Sequence, residues 1–119
     1  MHLIESDPMV HESIQQLLTG LPAKVYSYPS AEEFLRSKHR SGPQCLITDI
    51  ELPGMDGVEL LNSLRSEGRL LPVIMLTSGN DVPSAVRAIR GGALDFLEKT
   101  YLQQRLLNRV RQALMLKPG

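Results

Sequence analysis

The sequence predicts an α/β domain built on a parallel sheet. Short apolar runs alternate with amphipathic stretches along the whole chain, in five successive pairs. Two of the apolar runs, CLIT and VIML, are continuous. A continuous run is typical of a strand that is covered on both faces, as the strands of parallel sheets are. We therefore expect five strands that alternate with five helices.

The first predicted strand is MHLIE, and a helix follows it directly. Asp7 and Pro8 have the pattern of an N-cap followed by proline at the first helical position. The apolar face of this helix comprises Val10, Ile14, Leu17 and Leu18. Gly20 and Pro22 then end the helix.

The second predicted strand lies in AKVYSY, which has the alternating pattern of a strand. Ser30 and Glu33 form the pattern of a capping box and open a short helix through Phe34 and Leu35. The third strand is QCLIT, which ends at Asp49, and LPGMDG follows as a loop.

The remaining elements are predicted by the same signals. Asp56 and Glu59 mark the start of the third helix, and PVIML is the fourth strand. DVPSAVRAI is a short helix that ends at Gly91–Gly92, and LDFL is the fifth strand. Thr100 and Gln103 form a further capping box. The apolar face of the last helix comprises Leu102, Leu106, Val110 and Ala113.

Composition limits the class of protein. The 119 residues suit one domain, and the zero net charge offers no basic excess for nucleic acid or an anionic membrane surface. The single cysteine, Cys45, excludes an internal disulfide and favours a reducing compartment. No apolar run approaches the roughly 20 residues of a membrane helix, and the N-terminus lacks the pattern of a signal peptide. We expect a cytoplasmic domain.

Polar residues follow four of the five predicted strands. They are Glu5, Ser6 and Asp7 at the end of the first strand, Asp49 at the end of the third, Thr77 and Ser78 after the fourth, and Glu98 and Lys99 after the fifth. Parallel strands present these ends at one edge, where α/β sheets bind ligands. Carboxylate oxygens suit Mg²⁺, and a lysine with a hydroxyl suits phosphoryl oxygens. The pattern predicts phosphoryl transfer onto a carboxylate.

Three segments resemble a known family. CLITDIELPGMDGVELL, VIMLTS and GALDFLEK are similar to the phosphoacceptor, switch-threonine and lysine segments of response-regulator receiver domains, most of all those of the FixJ and NarL kind. The segments occur in the right order, and the resemblance covers the whole chain. It implies the flavodoxin-like, CheY-like (βα)5 fold, a three-layer sandwich with strand order 2-1-3-4-5. We expect one receiver domain over residues 1–119, in keeping with the N-terminal part of a longer response regulator.

The resemblance assigns a role to each matching position. Asp49 resembles the aspartate that takes a phosphoryl group from a histidine kinase, and Lys99 resembles the lysine that pairs with this group. Thr77 resembles the hydroxyl that moves toward it, and Phe96 stands where the family has a switch aromatic. The backbone carbonyl of Glu51 falls where the family supplies a ligand to Mg²⁺. The loop residues Pro53, Gly54 and Gly57 also match.

Two positions depart from the family pattern. The family usually has two adjacent acids after the first strand, whereas this chain has Glu5 and Ser6. Metal binding then depends on Glu5, Asp49 and Glu51, with Ser6 or Asp7 as a further ligand, and we expect it to be weaker than usual. The family lysine usually precedes a cis proline, whereas Thr100 follows Lys99. Because a cis bond before another residue costs about 2.5–4 kcal/mol, we expect a trans bond and a changed loop.

Other interpretations of these residues stay open at this point. Asp7 and Asp56 suit helix caps, Phe96 suits the core as well as a switch, and Cys45 suits an inert buried thiol. A pseudo-receiver, acting as an interaction module without phosphorylation, is favoured by Ser6 and Thr100. It is opposed by Asp49, Thr77 and Lys99. A flavin carrier would need a glycine-rich phosphate loop after the first strand, and a haloacid-type phosphatase would need glycine and threonine after DIE. The chain has neither the glycine-rich loop of the flavin carrier nor the glycine and threonine of the phosphatase at these places.

The resemblance also implies partners. These are a histidine kinase or phosphotransfer protein and an output domain or downstream protein, with no direct contact to nucleic acid or membrane. Arg105, Arg109 and Arg111 on the last helix, with Asp95 on the fifth strand, could pair across a two-fold interface after phosphorylation. A solvated helix face is favoured over this homodimer, because exposed ion pairs contribute only about 0–1 kcal/mol each.

Overall fold

The computed structural model describes residues 1–21, 23–37, 44–79, 81–99 and 103–115. Within these ranges, strands and helices alternate as predicted. The strands are β1 (His2–Ile4), β2 (Tyr26–Tyr28), β3 (Leu46–Asp49), β4 (Val73–Thr77) and β5 (Asp95–Glu98). The helices are α1 (Pro8–Leu18), α2 (Ala31–Arg36), α3 (Gly57–Ser66), α4 (Val82–Arg90) and α5 (Gln103–Met115). No helix in the described ranges has the length and apolar character to cross a membrane.

The five strands form one parallel sheet in the order β2-β1-β3-β4-β5, which confirms the predicted fold and strand order. The register pairs Ile4 with Thr48, Asp49 with Leu76, and Thr77 with Glu98. The chain builds the sheet outward in one direction from β1 to β2 and in the other from β3 to β5. The switch point therefore lies between β1 and β3.

Each face of the sheet is covered by its own apolar cluster. Along β4, Val73 and Met75 belong to the cluster under α2, α3 and α4, whereas Ile74 and Leu76 belong to the cluster under α1 and α5. This alternation follows from the period of two residues in a strand. It gives the three-layer sandwich that the sequence predicts.

Side-chain caps fix the starts of the helices. Asp7 accepts a hydrogen bond from the amide of Met9, and Ser30 accepts one from Glu33. The carboxylate of Asp56 likewise accepts from the amide of Glu59. These contacts confirm the predicted caps of α1, α2 and α3. The predicted capping box at Thr100, and the bond between Lys99 and Thr100, lie outside the described residues.

The second and third strands are shorter than predicted. The region AKVYSY contributes only Tyr26–Tyr28 to the sheet, and Cys45 precedes β3, so it is not in the middle of that strand. The thiol of Cys45 is buried. Burial disfavours the thiolate and raises the pKa of Cys45 to about 12. The predicted burial of this thiol is therefore confirmed, although Cys45 lies directly before β3 and not within the strand.

Candidate functional site

Two carboxylates meet at the switch point of the sheet. Glu5 follows the last residue of β1, and Asp49 is the last residue of β3, the neighbouring strand. Glu5 is 5% exposed and Asp49 is 4% exposed. Buried acids normally require a cationic or hydrogen-bonding partner, since water no longer solvates their charge.

Lys99 supplies that partner for both acids. It follows β5 and reaches across the end of β4, so that its Nζ lies 2.6 Å from Oδ2 of Asp49 and 3.0 Å from Oε1 of Glu5. Oε2 of Glu5 also lies within ion-pair distance, at 2.9 Å, but this oxygen is buried and accepts no hydrogen bond among the described residues. Two acids thus share one ammonium, which leaves the cluster with a formal charge of −1.

The pKa values of this cluster respond to burial and pairing together. Burial raises the pKa of Glu5, and the hydrogen bonds from Lys99 and from the amide of Asp7 offset only part of that rise. Burial also lowers the pKa of Lys99, but its hydrogen bonds to Asp49 and Glu5 outweigh this effect, and the pKa is raised overall. Lys99 therefore carries its charge at neutral pH.

Backbone contacts orient the Asp49 carboxylate. The amide of Glu51 donates to Oδ1 of Asp49 at 3.0 Å, while Lys99 holds Oδ2. The loop then closes when the amide of Gly57 donates to the carbonyl of Ile50 at 2.9 Å. A Cβ atom at Gly57 would lie 2.9 Å from the Asp49 carbonyl oxygen, so only glycine permits this close approach.

Thr77 and Phe96 lie on the neighbouring strands. The Thr77 hydroxyl is buried and accepts a hydrogen bond from the amide of Gly79 at 3.2 Å. Phe96 is partly buried and packs against the apolar cluster under α2, α3 and α4. Both residues line a cavity of about 320 Å³ between α4 and β5, together with Val86 of α4.

The remaining predicted site residues do not join the acidic pair. Ser6 is exposed, and Asp7 is exposed with its carboxylate engaged as the cap of α1. The side chain of Glu51 is exposed, whereas its backbone amide contacts Asp49. In the part of the chain that the structure describes, no three His, Cys, Asp or Glu side chains gather as a metal would need.

The donor chemistry nevertheless fits Mg²⁺. This ion is usually bound through one or two carboxylates and keeps several waters. Glu5 and Asp49 supply two carboxylates, and Oε2 of Glu5 accepts no hydrogen bond among the described residues. This group of possible ligands has one carboxylate fewer than the family usually has, because Ser6 stands at the place of the second acid.

Three of the four charged residues predicted for a two-fold interface contact one another within a single chain. Asp95 forms an ion pair with Arg109, and Arg105 lies 3.9 Å from the same carboxylate. The preference for a solvated helix face over the homodimer stays a prediction.

Sequence reasoning missed one residue beside the site. Glu32 of α2 accepts a hydrogen bond from the amide of Met55 in the loop after Asp49, at 3.1 Å. The sequence shows Glu32 only as an acid in the first turn of a helix. The two residues are separated by 23 positions, so no local pattern could have joined them.

A buried aspartate and a lysine at the switch point of a β2-β1-β3-β4-β5 sheet define the class of protein. The chain belongs to the response regulator receiver domain family, whose sequence model matches residues 1–111. Receiver domains of response regulators interact with histidine kinases and output domains, and they generally bind Mg²⁺ at their acidic pocket.

Relatives of known name and structure support this membership. The chain is 41% identical over 112 residues to the C4-dicarboxylate transport transcriptional regulatory protein DctD of Pseudomonas aeruginosa, covering 94% of this chain and 24% of that protein. It is 38% identical over 114 residues to the transcriptional regulatory protein FixJ of Azorhizobium caulinodans, covering 96% of this chain and 54% of that protein. The chain thus spans about a quarter to about half of the length of these relatives.

Solved structures show the same likeness. The crystal structure of FixJ-N superposes with a TM-score of 0.86 at 34% identity, covering 98% of this chain and 94% of that one. A response regulator receiver protein from Pseudoalteromonas atlantica superposes with a TM-score of 0.87 at 32% identity, covering 94% of this chain and 93% of that one.

Proposed function

We propose that this domain accepts a phosphoryl group on Asp49 from a histidine kinase and thereby switches an output module or a partner protein. The observation that carries this proposal is the pairing of buried Asp49 with Lys99 at the switch point of the sheet. The convergence of two acids and a lysine from the ends of β1, β3 and β5 on one buried point supports a reactive site.

In the proposed reaction, an oxygen of the Asp49 carboxylate forms a bond to phosphorus. The bond from phosphorus to a histidine nitrogen of the donor breaks, and its electron pair leaves with that nitrogen, so the product is an acyl phosphate. Lys99 holds Oδ2 of Asp49 beforehand and pairs with the phosphoryl oxygens afterwards. The hydroxyl of Thr77 accepts from Gly79, and its own proton is then available to a phosphoryl oxygen.

Mg²⁺ would be held by Glu5, Asp49 and the backbone carbonyl of Glu51. When bound, the ion reduces the repulsion between the Asp49 carboxylate and the incoming phosphoryl group. Oε2 of Glu5 would be the oxygen that binds the ion, since it accepts no hydrogen bond among the described residues although it lies 2.9 Å from Nζ of Lys99.

The switch would operate through Thr77 and Phe96. Both line the cavity beside α4, so a shift of the Thr77 hydroxyl toward the phosphoryl group opens space next to the Phe96 ring. Such a shift changes the equilibrium between two states only if the phosphoryl group binds one of them better.

The natural protein should gain the mass of one phosphoryl group when it is incubated with acetyl phosphate and Mg²⁺. Intact-mass spectrometry measures this gain, and chelation of Mg²⁺ should slow it. If the mass stayed unchanged over hours at saturating donor, the chain would act as the pseudo-receiver that the serine at position 6 favours.

Ser6→Asp should tighten the binding of Mg²⁺ about tenfold, since a second adjacent acid adds a charged oxygen ligand. Calorimetric titration of Mg²⁺ measures the change. Ser13→Asp is the matched control, because it adds the same charge to an exposed position of α1 farther along the helix. Equal affinities for the natural protein and Ser6→Asp would mean that Asp7 already fills the site or that the ion binds elsewhere.

A further inference from the structure

A side chain of α2 contacts the loop that follows Asp49. Oε1 of Glu32 accepts a hydrogen bond from the amide of Met55 at 3.1 Å. The same carboxylate packs against Gly54, where an added Cβ would lie 3.2 Å from Oε1. Gly54 has a φ of +78°, a left-handed conformation that turns the Met55 amide toward α2.

Within α2, Glu32 is neither the N-cap nor a partner in the ion pair of this helix. The N-cap of α2 is Ser30, whose hydroxyl binds the amide of Glu33. The ion pair on this helix joins Glu33 with Arg36. The carboxylate of Glu32 points instead across to the loop, where a charged acceptor makes a stronger hydrogen bond than a neutral one.

The loop in turn orients the phosphoacceptor. Near the start of the loop, Glu51 donates its amide to Oδ1 of Asp49. The two ends of the loop are held by this bond and by the bond from Gly57 to Ile50. Between these two ends, Glu32 of α2 holds the loop by accepting a hydrogen bond from the amide of Met55.

We propose that Glu32 is a positioning residue for phosphorylation. Its carboxylate fixes the loop between Asp49 and α3, and the fixed loop keeps the Glu51 amide and carbonyl in place beside the Asp49 carboxylate. Residues that orient a reacting or metal-binding group from behind typically contribute about 10–100-fold to affinity or activity. This role depends on the proposed phosphorylation of Asp49. The gain of phosphoryl mass by the natural protein tests that phosphorylation separately.

The experiment compares Glu32→Ala, Glu32→Gln and Glu33→Ala in the whole domain. Hydrogen exchange of the Met55 and Glu51 amides, followed by NMR, reports the loop directly. The rate of phosphoryl-mass gain at saturating acetyl phosphate and Mg²⁺ reports the reaction. Glu33→Ala is the matched control, because it removes an identical charge from the next residue of α2, where the side chain contacts Arg36 and not the loop.

Glu32→Ala should speed exchange of the Met55 amide about tenfold or more and slow phosphorylation about tenfold. Glu32→Gln keeps an acceptor oxygen and should recover most of both values. Glu33→Ala should match the natural protein in both.

Two results would overturn the positioning role. One is faster exchange at Met55 in Glu32→Ala with an unchanged phosphorylation rate, and the other is equal slowing in Glu32→Ala and Glu33→Ala. A natural protein that gains no phosphoryl mass would instead overturn the proposed function itself, and the Met55 exchange would still report on the contact.

Discussion

Asp49→Asn should abolish the gain of phosphoryl mass. The amide keeps the shape of the carboxylate and can still accept from the Glu51 amide, but its nitrogen and neutral oxygen are no nucleophile for phosphorus. Intact-mass spectrometry after incubation with acetyl phosphate and Mg²⁺ measures the loss. Because the Asp49 carboxylate is the acid that Lys99 approaches most closely, at 2.6 Å, we expect no second acceptor.

Asp56→Asn is the control for this substitution. Asp56 lies seven positions further on and caps α3, and asparagine caps a helix as well as aspartate does. This variant should be phosphorylated like the natural protein. A phosphoryl mass on Asp49→Asn would show that another residue is the acceptor.

Lys99→Met should lower the free energy of unfolding by about 3 kcal/mol at pH 7, since it leaves Glu5 and Asp49 buried without their cation. The Lys99 side chain is 14% exposed and those of Glu5 and Asp49 are 0% and 6% exposed, so water replaces little of the lost pairing. Urea titration measures the change. Lys24→Met, at an exposed position, should stay within about 0.5 kcal/mol of the natural protein.

The loss of free energy of unfolding caused by Lys99→Met should become smaller as the pH falls. The folded pKa of Glu5 is raised even with Lys99 present, and removal of the ammonium raises it further. Glu5 in this variant is therefore protonated at a higher pH than an ordinary glutamate. Once protonated, it no longer repels the Asp49 carboxylate. In the natural protein the contribution of Lys99 is present throughout neutral pH, because its pKa is raised, and is lost only as the pH rises through that raised value. A cost that grew between pH 7 and pH 5 would contradict this account.

The order of elements could be predicted because each one has a local signal. The caps at Asp7, Ser30 and Asp56 were recognisable from a hydroxyl or acid at the right spacing, and the continuous runs of β3 and β4 indicated buried strands. Strand ends were predicted less well, as at β2, because pairing with β1 decides how many residues join the sheet.

The acidic pair could be predicted only in part. Parallel strands bring Glu5 and Asp49 to one edge, and this placement follows from the order of the elements. The sharing of Lys99 between both acids, and the contact of Glu32 with Met55, depend on side chains from distant parts of the chain. Such contacts have no period and no fixed spacing, so the sequence alone does not reveal them.

The sheet separates the apolar core into two compartments, one on each of its faces. Alternation along the strands places Phe96 in the compartment of α4, whereas Leu97 lies in the compartment of α1 and α5. A substitution that repacks Leu106 or Val110 of α5 therefore reaches the sheet from the side away from Phe96. The apolar packing of α5 can therefore be altered from the face of the sheet opposite Phe96, whereas Arg105 of the same helix lines the cavity beside α4.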